Sequence, residues 1–144
     1  MPYDVQVVID SADPHALADW WAAALGWEVE PSDEEFIRKM IAEGYASEDD
    51  TTTHRGRLVW KEAAAINHPG GRDSGRPRIY FQLVPEPKRV KNRVHLDLRP
   101  DVDDSEGELR RLLDAGATEL YRGRQGPHTW VTLADPEGNE LCLG

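Results

Sequence analysis

Little in this sequence could cross-link the chain or carry it through a bilayer. Its 144 residues include one cysteine, Cys142, so no internal disulfide is available. No apolar run approaches the ~20 residues of a membrane span, and no basic-then-apolar leader stands at Met1. The expectation is a cytoplasmic chain with no membrane partner. Positive charge is also short: 17 Lys and Arg face 27 Asp and Glu, for a net charge of −10. Such a balance repels phosphate backbones and argues against nucleic acid as a partner. What is present is enough to pack a core. Hydrophobic residues make up 39% of the chain and five are Trp, which predicts a compact soluble domain spanning 1–144 rather than a disordered chain.

Alternation and punctuation divide the chain. Val5, Val7 and Ile9 alternate with polar neighbours, which predicts a strand over 3–10. Asp13 as a cap and Pro14 in the first turn open a helix carrying Leu17, Trp20, Trp21, Ala24 and Leu25, with Gly26 as its stop. Trp27–Val29 reads as a short strand. Ser32, with Glu35 three residues on, reads as the cap of a second helix through Phe36, Ile37, Met40 and Ile41 to Gly44. Residues 47–55 read as an exposed loop and 69–75 as another, with short strands predicted at 57–60 and 63–67. A clearer strand carries Ile79, Phe81 and Leu83 on one face and Tyr80 and Gln82 on the other. The stretch Pro85-Glu86-Pro87-Lys88 then marks the best internal boundary.

The second half is organised around residues 91–99, where apolar and polar residues alternate without a break. Val94, Leu96 and Leu98 are expected on a buried face, with Arg93, His95, Asp97 and Arg99 opposite. Asp103 or Asp104 then caps a helix with Leu109, Leu112 and Leu113, ending at Ala115-Gly116. Strands are expected at 118–122 and 129–133. The Asp135-Pro136-Glu137-Gly138-Asn139 turn launches a final strand with Leu141 and Leu143 on one face and Glu140 and Cys142 on the other. The two halves thus repeat a strand, helix, strands order. Polar faces bearing Gln6, Tyr80 and Gln82, His95 and Asp97, and Glu140 and Cys142 are expected to line one cup. His15, His54, His68 and His128 read as surface residues, with His128 and Trp130 near the pocket mouth.

Three segments together resemble the vicinal oxygen chelate (VOC) superfamily, in particular its glyoxalase-like and bleomycin-resistance-like domains. They are Ala12-Asp13-Pro14 with Trp20-Trp21 and Ala24-Leu25-Gly26-Trp27; Asn92-Arg93-Val94-His95-Leu96-Asp97-Leu98; and Asp135-Pro136-Glu137-Gly138-Asn139-Glu140. The resemblance covers nearly the whole chain. It implies an α+β fold of two paired βαβββ modules, about 1–86 and about 91–144, forming a curved mixed sheet around a cup-shaped pocket. The helical stretch at about 33–44 departs from the minimal module. Metal-binding relatives take one ligand from each of four strands, at positions falling here on Gln6, Gln82, His95 and Cys142. Two amides, an imidazole and a thiol are a poor set for nickel or iron and a passable one for zinc, so zinc or nickel is disfavoured as a cofactor. With only one histidine at a ligand position, ring-cleaving dioxygenase chemistry is disfavoured too.

The resemblance implies binding of a small organic molecule in the cup, with lyase or isomerase chemistry through an enolate-type intermediate. His95 and Glu140 are then the catalytic candidates, and Gln6, Tyr80, Gln82, Asp97, Cys142 and Trp130 the ligand-binding ones. The alternative is a non-catalytic, antibiotic-sequestering protein of the bleomycin-resistance type. Relatives often pair subunits, so a homodimer is expected.

Overall fold

The computed structural model describes residues 1–144. The chain forms two compact units, Met1–Glu86 and Pro87–Gly144. In the first, β1 (Val7–Ser11) leads into α1 (Pro14–Leu25) and then β2 (Glu28–Val29). The α1 start follows from its sequence: the Asp13 carboxylate accepts from the Ala16 N–H at 3.2 Å, and Pro14 occupies the first turn. Gly26 closes it at φ 68°, a left-handed conformation that suits glycine. Next come α2 (Glu34–Ala42), β3 (Thr51–His54), β4 (Arg57–Trp60), β5 (Ala63–Asn67) and β6 (Ile79–Leu83). The main sheet runs β1-β6-β5-β2, with β1 and β6 parallel and the other neighbours antiparallel. Helix α1 packs on β5 and β6, and Leu17, Trp21, Ile66, Ile79 and Phe81 are buried there.

The second unit repeats the plan with β7 (Leu96–Leu98), α3 (Ser105–Asp114), β8 (Thr118–Gln125), β9 (His128–Ala134) and β10 (Glu140–Leu143). Its sheet order is β7-β10-β9-β8, again with the first strand parallel to the last. Asp104 caps α3 by accepting from the Gly107 N–H at 2.9 Å. Leu109 and Leu112 of α3 are buried, as are Leu133, Leu141 and Leu143 of the sheet. Each unit is therefore a βαβββ module of the same strand order, and the first carries α2 and the β3–β4 hairpin as additions.

Several expectations are corrected. The residues 47–55 form not an open loop but a capped 3-10 turn and β3, which pairs with β4. The hairpin turn is Arg55-Gly56, both at positive φ (51° and 77°), the geometry of a two-residue type I′ connection. Its first position carries Arg instead of the usual Asn or Asp, which hid the signal. The cap of α2 is Asp33, accepting from the Phe36 N–H at 3.0 Å, while the Ser32 hydroxyl donates to the Leu58 carbonyl at 2.7 Å. The strand over 91–99 shrinks to Leu96–Leu98, because β7 lies at the sheet edge and pairs only with residues 141–143. Val94, expected in the core, is 77% exposed.

Candidate functional site

In the second unit the β7–β10 register sets Asp97 opposite Cys142, with Leu96 opposite Leu141 and Leu98 opposite Leu143. Strand alternation therefore puts the leucines on one face and the polar pair on the other. His95 joins them: its Nε2 lies 3.3 Å from Asp97 Oδ1. The potential donor atoms of His95, Asp97 and Cys142 all fall within 4.8 Å of one another. The Cys142 thiol also touches the hydroxyl of buried Thr132 at 3.4 Å. His95 and Asp97 are open to solvent, while the sulfur is half-buried.

Glu140, two residues before Cys142 on the same strand, is engaged elsewhere. Its carboxylate accepts from Lys88 Nζ at 3.0 Å and from the Asn92 N–H at 3.1 Å. Burial works to raise its pKa, but the Lys88 ammonium and the N–H groups of Asn92 and of Glu140 itself outweigh it and hold the group below the ordinary value of 4.5. Such a carboxylate is a settled anion, poor at carrying protons. Its neighbours explain why the closing turn and the 88–92 segment belong together. Asp135, nearly fully buried, accepts from the N–H groups of Glu137 and Asn139, and Asn92 Nδ2 donates to Asn139 Oδ1 at 2.9 Å. Trp130 stacks on His128, with ring centroids 5.7 Å apart.

In the first unit, Gln6 is exposed and its amide oxygen accepts from Arg78 Nη1 at 3.0 Å. Gln82 is also exposed. Tyr80 faces a cleft of about 530 Å³, with the Arg78 guanidinium 5.2 Å over its ring. The same cleft brings in residues read from sequence as surface positions. His54 Nε2 is 2.6 Å from Asp19 Oδ2, His15 Nε2 is 2.7 Å from the Trp60 carbonyl, and the two imidazoles lie 5.3 Å apart. Carboxylate and carbonyl oxygens only accept, so in both rings Nε2 carries the proton. Neither histidine is near the other in sequence. The available signal was the alternation within 51–54, legible only once Arg55-Gly56 is taken as a hairpin turn.

Which of these residues suit a metal follows from their chemistry. Imidazole, carboxylate and thiolate form an acceptable zinc set, better than the two amides expected from sequence, because Asp97 supplies the charged oxygen that set lacked. The three side chains that fit are His95, Asp97 and Cys142.

Two βαβββ units of one strand order are the architecture of the VOC superfamily. The sequence profile of the glyoxalase-like domain matches residues 6–144, and the chain belongs to that family. Direct comparison with curated proteins finds no match. Among solved structures, the chain is similar to a glyoxalase/bleomycin resistance/dioxygenase family enzyme from Burkholderia phytofirmans, at TM-score 0.62 and 16% identity, covering 98% of this chain and 97% of that one. It is also similar to the fosfomycin resistance protein FosX from Mesorhizobium loti, at TM-score 0.63 and 7% identity, covering 99% and 90%. TioX from a Micromonospora species matches at TM-score 0.52 and 15% identity, covering 99% and 97%. At these identities the likeness is one of fold.

Proposed function

We propose that this glyoxalase-like domain binds a small organic molecule against the polar face of its second unit, and that His95 moves a proton there in lyase or isomerase chemistry. The observation that carries the reading is the convergence of His95, Asp97 and Cys142 donor atoms within 4.8 Å. In the reaction, the imidazole takes a proton from the carbon beside a carbonyl, and the bonding pair moves onto the carbonyl oxygen as an enolate. Asp97 stabilises the imidazolium so formed, and the proton is returned to a neighbouring position. Zinc held by the same three side chains would be the alternative, supplying Lewis acidity toward that oxygen with His95 then a ligand and not the base. Glu140 contributes by fixing the 88–92 segment, not by carrying the proton. The homodimer expected from the resemblance belongs to the same reading.

Native mass spectrometry of freshly purified protein, with metal analysis, tests it. A small molecule held by the wild type and bound about fivefold to tenfold more weakly by His95→Ala supports the proposal, the loss of one polar contact worth ~1 kcal/mol. Equal retention in both overturns it. One observation favours the sequestering alternative: Glu140, the second catalytic candidate, is held by Lys88 and Asn92 and is not available to move protons. Deuterium incorporated into the recovered ligand from heavy water marks enolate chemistry, and its absence marks sequestration.

A further inference from the structure

The cleft of the first unit has a charge balance unlike that of the chain around it. Three guanidiniums, of Arg55, Arg57 and Arg78, reach it against two carboxylates, of Asp19 and Glu30, in a chain of net charge −10. Both carboxylates are already neutralised. Glu30 receives Arg78 in a two-pronged pair, Nε and Nη2 each at 2.7 Å, together with Asn67 Nδ2 at 2.8 Å. Asp19 receives His54 at 2.6 Å and Arg55 at 3.2 Å. The Arg57 side chain has no hydrogen bond or ion pair and is exposed at the cleft. Its charge is the uncommitted one.

The remaining lining supplies two further requirements. Val59, Trp60, Ala65 and Tyr80 give an apolar and aromatic wall. His15 and His54 each spend Nε2–H on a protein acceptor, which leaves each neutral ring one acceptor, Nδ1, and nothing to donate. Asp19 orients His54 as carboxylates orient the bases of acid–base sites.

We infer that this cleft is a binding site for a small carboxylic acid with an apolar or aromatic body and a hydroxyl group. Arg57 takes the carboxylate, the aromatic wall takes the body, and the Asp19-oriented imidazole of His54 accepts the hydroxyl proton in a hydrogen bond. The inference stands on the first unit alone and does not rest on the role given to His95.

Three probes test it on the full chain: 4-hydroxyphenylacetate, phenylacetate, which lacks the hydroxyl, and tyramine, which replaces the carboxylate by an ammonium. Titration is followed by NMR on the indole N–H of Trp60. The expected order is 4-hydroxyphenylacetate before phenylacetate, with tyramine unbound at about 1 mM, the range of weak fragments. Arg57→Gln, at an exposed position, should weaken 4-hydroxyphenylacetate about tenfold or more, as loss of a charge-assisted contact does. His54→Gln should erase the preference for the hydroxylated probe while leaving phenylacetate affinity unchanged. Binding unaffected by Arg57→Gln, tyramine bound as well as the acids, or no Trp60 response to any probe overturns the assignment. Failure of His95→Ala to release a ligand leaves these outcomes untouched, so the two readings fail separately.

Discussion

Lys88 and Glu140 make the most consequential ion pair in the second unit, because both side chains are largely removed from water, at 17% and 9% exposure. A carboxylate held there by an ammonium and backbone N–H groups becomes costly when the ammonium is taken away. Lys88→Met is expected to destabilise the protein by about 3 kcal/mol in urea unfolding, the range for removing one partner of a buried pair. The same geometry fixes a pH dependence. Glu140 is held below its ordinary value of 4.5, and Glu30 is lowered as well, first by its hydrogen bonds from Arg78, against burial, and then by Asn67. A depressed carboxylate contributes stability that is present above the unfolded value and lost as pH falls through the native one. Melting temperature should therefore fall on acidification below about pH 4.5, and more shallowly in Lys88→Met than in the wild type. At this scale alternation was legible where a ladder forms: Asp97 and Cys142 share a face because strand geometry requires it, while His95, just ahead of β7, meets Asp97 through its own side chain at 3.3 Å. The sequence was silent about His54 and Asp19, which are 35 residues apart and meet only through tertiary packing.

Elements with strong local signals formed where the sequence placed them. Asp13-Pro14 and Gly26 bound α1, and the Asp135 turn opens β10, since capping and turn chemistry act within a few residues. The 91–99 strand was overestimated for the opposite reason: alternation measures what a segment can do, whereas ladder length is set by the partner strand. Across β8 and β9, Gly123 stands opposite Trp130, and a Cβ at that glycine would collide with the indole. Here glycine serves close approach rather than unusual backbone. Gly123→Ala should push the indole aside, costing about 1–3 kcal/mol as overpacking does, and should change the Trp130 stacking on His128 seen in near-ultraviolet circular dichroism. Unchanged stability and spectrum would show that the ring turns away freely.

For the whole molecule, the repeated strand order was legible as a pseudo-repeat, because each half reads strand, helix, strands. The β3–β4 hairpin inserted in the first was hidden by its Thr-rich, acidic composition. Edge strand β8 runs eight residues, with Leu120 and Tyr121 46% and 51% exposed. Open edges of this kind favour association, and a dimer of twice the 16.2 kDa chain mass is expected in sedimentation at micromolar concentration. A single 16.2 kDa species throughout would reject it.

The position of β10 between β7 and β9 also bears on when this unit can fold during synthesis. The ribosome delivers the interior strand of the sheet after both strands that must flank it. The β8–β9 hairpin, a local pairing, can close as soon as it leaves the tunnel, but β7 waits without a partner until residue 143 has emerged. The His95-Asp97-Cys142 face is thus completed last, because its final member arrives on the strand that joins the others.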